Sequence, residues 1–303
     1  ICGNHGQMIK ASTGALCSNV SPAACAACLP ERSAAAFMRR ELFVKAAFAR
    51  ANAFVSPSRF LLQRYVDWGL PAAKTCLLEN GLDAGPASPP RPLPQRSGRR
   101  NRFAYFGQLN PFKGIRVLLQ AVARVPADVW VSDSVLDVFG GNLELQPERF
   151  QQEFRTLVTA AGRRVRYFGS YRNDELSKLM AGIDWVIVPS TWWENAPVVI
   201  QEAFAHGRPV ICSDIGGMAE KVRDNVDGLH FRAGSVDSLT ERLVGVLRAP
   251  QLWGRLRERI RPPLSGDGAA AQHIGLYRRL TGDDRRLVAG GTTSPERQAV
   301  AAE

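Results

Sequence analysis

Downstream of residue 101, short apolar runs alternate with longer stretches in which apolar residues recur at helical spacing. The runs at Arg102–Gly107, within Val129–Phe139, and at Val165–Gly169, Trp185–Val188, Pro209–Cys212 and Gly228–Phe231 read as strands, several of them apolar throughout. Between them, Ile115–Val125, Pro147–Ala161, Asp174–Ala181 and the stretch from Pro197 to Gly207 read as helices. A short helix carries Glu220, and Val236–Leu247, Gln251–Ile260 and His273–Leu280 follow. Regular alternation of buried strand and helix predicts an α/β domain, a doubly wound parallel sheet of Rossmann-like type. Upstream the same grammar is shorter. A helix is expected over Phe37–Ala51, a strand over Ala53–Ser56, a helix over Arg59–Trp68 closed by Gly69, and a strand over Lys74–Glu79 before Asn80-Gly81.

A composition shift separates the two parts. Residues 84 to 101 hold Pro86, Pro89, Pro90, Pro92 and Pro94 among Arg91, Arg96, Arg99 and Arg100, a stiff basic connector. The expected organisation is therefore 1–83 as the tail of one domain, 84–101 as linker, 102–282 as a complete second domain, and 283–303 as a polar, mobile tail.

The most informative stretch is Ser190–Ser213, S-T-W-W-E-N-A-P-V-V-I-Q-E-A-F-A-H-G-R-P-V-I-C-S. Pro197 is expected in the first helical turn, where its missing N–H is harmless, and Gly207 as the left-handed helix terminator. Glu194 falls at a strand-to-helix turn. In an open parallel sheet that turn lies at the carboxyl edge, where ligands bind, and the free N–H groups of the helix start favour an anion. If the intervening residues are helical, Glu194 and Glu202 stand roughly 12 Å apart along the axis. Two carboxylates acting as the acid and nucleophile of a retaining hydrolase sit about 5–5.5 Å apart. These two are thus expected to touch different parts of one extended ligand. The competing reading of Glu202 as a solvated helix residue is weakened by its apolar neighbours Val199, Ile200, Ala203 and Phe204. His206 and His230 stand alone and read as structural.

Composition sets outer bounds. The 303 residues are 45% hydrophobic and 22% charged, as in a soluble globular protein, with no apolar run of membrane-spanning length and no visible secretory signal. The chain opens at Ile1 rather than Met, as a fragment or processed form would. A net charge of +11 suits a nucleotide diphosphate, an anionic membrane surface or a nucleic acid, and also an arginine-rich genome. No interleaved aromatic and basic stripe supports the nucleic-acid reading. Cys2, Cys17, Cys25 and Cys28, with Cys25 and Cys28 as C-x2-C and His5 as a further ligand, are candidates for a structural zinc site. Scattered thiols and disulfides are the alternatives. Cys76 and Cys212 read as buried strand residues.

Glu194 and Glu202 form an E-x7-E element. With Glu-Asn-x-Pro-x-Val, Glu-Ala-x-Ala-x-Gly-x-Pro-Val-Ile, and Gly216-Gly217 followed by Glu220, it resembles the retaining family 4 glycosyltransferases, which have the GT-B fold. The segment Gly107-Gln-Leu-Asn-Pro-Phe-Lys-Gly114 is similar to the first turn of that family's donor domain. The resemblance implies one complete nucleotide-sugar donor domain and an incomplete acceptor domain. It implies donor-binding roles for Gly107, Gln108, Asn195, Ala196, Val198 and Glu202, with Glu202 on the ribose. Glu194 would position the donor sugar, and Lys113 would offset the charge of the departing diphosphate. Gln108 stands where many relatives have an arginine, so a phosphate charge must come from elsewhere, with Arg116 as one substitute. A cysteine-containing insertion ahead of a long helix is similar to a subset of the family.

The implied activity is sugar transfer from a nucleotide-diphosphate sugar to a glycan or lipid-linked acceptor. It requires no catalytic metal, and the expected setting is cytoplasmic or peripheral at the inner membrane face, in polysaccharide or glycoconjugate synthesis. The competing classes are a sugar-nucleotide epimerase or phosphorylase on the same architecture, a donor-binding module that does not transfer, and a nucleic-acid binder. An epimerase needs further acid/base groups near the sugar. A phosphorylase is much longer and carries a cofactor lysine.

Overall fold

In the computed structural model, residues 2–4, 6–18, 20–82 and 99–282 are described. The linker expected before residue 99 and the tail after 282 lie outside them. Two sheets form, both parallel. The smaller pairs β1 (Phe54–Ser56) with β2 (Thr75–Leu77). It is preceded by α1 (Pro22–Cys28) and α2 (Ala34–Ala49), and α3 (Arg59–Asp67) connects its strands.

The larger sheet has six strands, β3 (Arg102–Phe106), β4 (Val135–Phe139), β5 (Val165–Gly169), β6 (Trp185–Val188), β7 (Val210–Ser213) and β8 (Gly228–Phe231), in the order β5-β4-β3-β6-β7-β8. The chain starts in the middle at β3, runs outward through β4 and β5, then returns to the other side of β3 at β6. The order therefore reverses between β3 and β6. Helices α4 (Ile115–Arg124), α5 (Glu148–Ala161), α6 (Leu176–Ala181), α7 (Val198–Ala205), α8 (Gly216–Lys221), α9 (Val236–Arg248), α10 (Gln251–Arg257) and α11 (Gly266–Thr281) complete the element order.

Both faces of this sheet are covered, which is why its central strands are apolar without alternation. Along β3, Phe103 and Tyr105 join a core with Leu118, Phe154, Trp185, Leu239 and Trp253, built on α4, α5, α9 and α10. Ala104 and Phe106 point the other way, into a core with Met180, Val186, Ile200, Val210 and Met218, built on α6, α7 and α8. The period-2 alternation of a strand thus feeds two cores at once.

One refinement and two departures from the sequence reading have local causes. In the Val129–Phe139 run only Val135–Phe139 is strand. Trp130 N–H bonds back to Pro126 O and Ser134 N–H to Val131 O, so the earlier residues turn instead. Helix α1 is unforeseen; Ser21 caps it by accepting the Ala24 N–H, and Pro22 opens it. Helix α11 starts at Gly266 rather than near His273. Ser265 caps it through the Gly268 N–H, and its glycine- and alanine-rich first half carries little amphipathic signal.

Candidate functional site

The loops after β3 and β6 face each other across the point where strand order reverses, the place where parallel sheets bind ligands. After β3, Gly107 has φ 148° and its N–H bonds to Phe139 O, so the strand exits through a conformation open mainly to glycine. The Asn110 side chain accepts the N–H groups of Phe112 and Lys113 at 3.0 Å each and folds Pro111–Lys113 into a tight turn. Gly114 ends the turn in the left-handed region; a Cβ there would lie 1.7 Å from Pro189 O. Glycine therefore lets the Lys113 turn rest on the end of β6. Thr191 N–H closes the contact by bonding to Phe112 O at 2.8 Å.

This contact brings Lys113 to Glu194. Its Nζ lies 2.7 Å from Glu194 Oε1, which also accepts from Ser190 Oγ at 2.7 Å and Trp192 Nε1 at 2.8 Å. The Trp192 ring stacks on Phe112 with centroids 5.4 Å apart and planes within 10°, and Lys113 Nζ stands 5.6 Å from its centroid. Glu194 is buried at 8% exposure and Lys113 is partly open. A third loop, after β7, supports the same turn. Gly217 N–H bonds to Glu194 O at 2.7 Å, and a Cβ on Gly217 would lie 1.6 Å from Asn195 O.

Glu202 lies on α7, half-buried, and its carboxylate has no hydrogen-bond or ion-pair partner among the described residues. Burial raises its pKa above the ordinary glutamate value. The neighbouring Tyr171 hydroxyl is pushed up to about 12, by burial first and by the Glu202 charge second. Burial, then Glu194, likewise raises Tyr105, whose hydroxyl donates to Gln108 O at 2.7 Å. Tyr171 also meets Phe106 and Phe139 edge-on, and Phe139 stacks between Phe106 and the exposed Phe168, at 4.9 Å on each side. The carboxyl ends of β3, β4 and β5 thereby form one aromatic platform.

The structure thus gathers Gly107, Lys113, Glu194 and Asn195, with the start of α7, around one sheet edge. Pro197 is the N-cap of α7 rather than part of its first turn, so Glu194 stands in the preceding loop and the helical 12 Å spacing does not apply. Among the described residues the N–H groups of Asn195, Ala196 and Val198 have no acceptor. Gly207 takes φ 63° as expected. The exposed Gln108 side chain has no partner among the described residues. Arg116 does not reach the site: its guanidinium pairs with Glu153 at 3.1 Å and lies over Phe150. His206 bonds through its ring nitrogens to Glu202 O and Ser177 Oγ, and His230 to Val222 O, as structural histidines do.

The zinc expectation is not supported. Among the described residues no group of three or more His, Cys, Asp or Glu side chains is arranged to hold an ion. Cys28 Sγ accepts the Ala11 N–H, Cys2 Sγ lies 3.8 Å from Asn4 O, and no disulfide joins the described cysteines. His5 lies outside the described residues. Cys212 is buried within β7, whereas Cys76 in β2 is only partly covered. Sequence reasoning missed Ser190 and Trp192 as partners of Glu194. Their position within the five residues ending at Glu194 was the available signal.

Residues 100–249 match a family model described as "Glycosyl transferases group 1". Among curated proteins, the chain is 28% identical over 185 residues to D-inositol 3-phosphate glycosyltransferase of Mycobacterium marinum, covering 59% of this chain and 38% of that protein. It is 28% identical over 186 residues to lipopolysaccharide 1,2-N-acetylglucosaminetransferase of Salmonella typhimurium, covering 58% and 48%. The chain spans less than half the length of these curated relatives. Among solved structures, Anabaena Alr3699/HepE in complex with UDP and glucose superposes with a TM-score of 0.62 at 22% identity, over 76% of this chain and 64% of that one. Sucrose-phosphate synthase from Thermosynechococcus elongatus gives 0.66 at 24% identity, over 81% and 62%. These likenesses show the fold.

Proposed function

From the premise that residues 100–249 form a glycosyl transferases group 1 domain, we propose that this chain holds the donor half of a retaining, family 4-type glycosyltransferase that uses a nucleotide-diphosphate sugar. The observation that carries the reading is the pairing of Glu194 with Lys113 at the switch point, with a second, unlike carboxylate on the helix that follows. Glu194 is held by Lys113, Ser190 and Trp192, while Glu202 is half-buried and partnerless. A partnerless carboxylate in that position suits a pair of ribose hydroxyls, which supply the donors it lacks. HepE, of the same fold, was solved in complex with UDP and glucose.

The chemistry follows from charge. When the bond between the sugar's anomeric carbon and the diphosphate oxygen breaks, the oxygen keeps the electron pair and negative charge grows on the diphosphate. Lys113 and the free N–H groups at the start of α7 are fixed dipoles and charge aimed at that developing anion. Glu194, held by Lys113 and two neutral donors, positions the sugar. An acceptor hydroxyl then attacks the anomeric carbon and passes its proton to the departing diphosphate oxygen. The acceptor is a glycan or lipid-linked molecule, and the setting is the cytoplasmic side of a membrane. The exposed apolar side chains of Met38, Leu42 and Phe43 on α2, beside the exposed Arg39 and Arg50, support contact with an anionic surface. Among the described residues no helix is long and apolar enough to cross a membrane.

Two experiments test the reading. Calorimetric titration with uridine, guanosine and adenosine diphosphates and their sugars should identify one base. Transfer assays on a protein that includes a complete acceptor domain, with the product anomer read by NMR, should show the donor's configuration preserved; an inverted product would sink the retaining assignment.

A further inference from the structure

Glu220 is singled out by a sequence motif but, like Ser58, takes no part in the site so far. Both lie where the first 82 residues meet the donor-site loops. Glu220, on α8, accepts two backbone N–H groups at the start of α3: Arg59 at 2.8 Å and Phe60 at 2.9 Å. A carboxylate there satisfies two of the donors that a helix start leaves open, and it meets the positive end of the helix dipole. Ser58 caps the same helix by accepting the Leu61 N–H, and its hydroxyl donates to Asn195 Oδ1 at 2.5 Å. Asn195 directly follows Glu194. Phe60 stacks on Trp193, which directly precedes Glu194, with centroids 5.0 Å apart, and the Arg64 guanidinium lies over the Trp193 ring. The two residues flanking Glu194 are therefore both held by α3, and α3 is held by Glu220.

The third side of this arrangement is the start of α8, just after β7. It carries Gly216 and Gly217, whose backbone passes so near Glu194 and Asn195 that a Cβ on either would collide with a carbonyl there. Glu220 projects from the same short helix. One element, α8, thus braces the Glu194 turn from below through Gly217 N–H and clamps α3 onto it through Glu220. Flanking contacts close the seam: Lys221 pairs with Glu79, and Gln201 Nε2 donates to Asn80 O at 2.7 Å.

We propose that Glu220 and Ser58 are positioning residues of the transfer reaction. They latch the amino-terminal segment onto the donor-site turn and so fix Glu194 and the α7 start in the geometry that receives the diphosphate. The proposal rests on the donor-site reading for its functional half; its structural half stands independently.

The test uses the full chain and the variants Glu220→Ala, Glu220→Gln and Ser58→Ala. Three observables are followed. Amide exchange at Arg59 and Phe60 reports the cap itself. Amide exchange at Gly217, bonded to Glu194 O, and the indole N–H resonance of Trp192, bonded to Glu194 Oε1, report the turn. Titration with the nucleoside diphosphate that wild type binds reports the site. In Glu220→Ala, exchange at Arg59 and Phe60 should accelerate about 10- to 100-fold, the range set by losing hydrogen bonds to a charged acceptor. Exchange at Gly217 should accelerate with it, the Trp192 resonance should move, and diphosphate affinity should fall about 10-fold. Glu220→Gln, which keeps one acceptor oxygen, should fall between. Ser58→Ala should move Trp192 in the same direction without altering α8. If only the α3 amides respond, while Gly217, Trp192 and affinity stay at wild-type values, Glu220 is a local cap and the proposal is overturned. If wild type binds no diphosphate, the donor-site reading fails, and the Gly217 and Trp192 observables still judge the latch.

Discussion

Removing the Lys113 ammonium is the sharpest structural perturbation of the site, because Glu194 is built around it. Lys113→Met keeps the stem and deletes the charge. The Glu194 side chain is 10% exposed and Lys113 26%, with 2.7 Å between charged atoms. Breaking a fully buried pair costs about 3–5 kcal/mol, whereas an exposed pair contributes about 0–1. Here water reaches the ammonium, and Ser190 and Trp192 continue to donate to Oε1 after the change. The expected loss is therefore about 2 kcal/mol, or about 4–8 °C in Tm for a domain of this size. Glu194→Gln added to Lys113→Met should recover part of it, since the stranded carboxylate is gone, giving a coupling of about 1–2 kcal/mol in the double-mutant cycle. Chemical denaturation of the four proteins at one pH measures this. Additive losses, or a Lys113→Met chain within about 0.5 kcal/mol of wild type, would refute the claim that the pair organises the turn.

Other expectations follow the same geometry. Glu202→Gln should lower nucleoside diphosphate affinity about 10-fold or more while leaving neutral-pH stability equal or higher, because the carboxylate is desolvated without a partner. Its folded pKa lies above the unfolded value, so wild type binds more protons when folded across that window. Wild-type stability should therefore decline as pH rises from the ordinary glutamate pKa through the raised one, and the Gln variant should lack that component; urea titrations across mildly acidic pH compare them. Gly217→Ala places a methyl 1.6 Å from Asn195 O and must push the donor turn aside, so ligand affinity should collapse along with roughly 1–3 kcal/mol of stability, read by calorimetry and denaturation. Should Gly217→Ala bind like wild type, the close approach of the α8 loop would have no bearing on the site.

The central strands of the large sheet were legible because they are covered on both faces and so are written as apolar runs; Trp185–Val188 and Val210–Ser213 are buried throughout, whereas the edge strand Val165–Gly169 is largely exposed. The loop chemistry was legible where a residue type is forced. Gly114 and Gly217 sit against carbonyls with no room for a side chain, and Asn110 folds the Lys113 turn through its own side chain. What pairs across the fold was not legible. Nothing local to Glu220 indicates that its carboxylate caps a helix beginning at Arg59, or that Trp193 stacks on Phe60, because those contacts are set by how the segments meet. Arg116 shows the same limit from the other side: its place near the Lys113 turn suggested a ligand contact, and packing of α4 against α5 gave it to Glu153. The cysteines are a middle case: C-x2-C lies on the short α1, and Cys2 and Cys17 come near enough for their charges to act on Cys25, but no group of three or more ligands is arranged to hold an ion among the described residues.

The central claim is that the β3–β6 edge holds a nucleotide diphosphate through Lys113 and Glu202. The most direct measurement is calorimetric titration of the folded wild-type chain, Lys113→Met and Glu202→Gln with a panel of nucleoside diphosphates. The account predicts saturable binding of at least one diphosphate, weakened about 10-fold or more in each variant. Binding that is indifferent to both substitutions, or no binding by the folded chain at millimolar ligand, would contradict it.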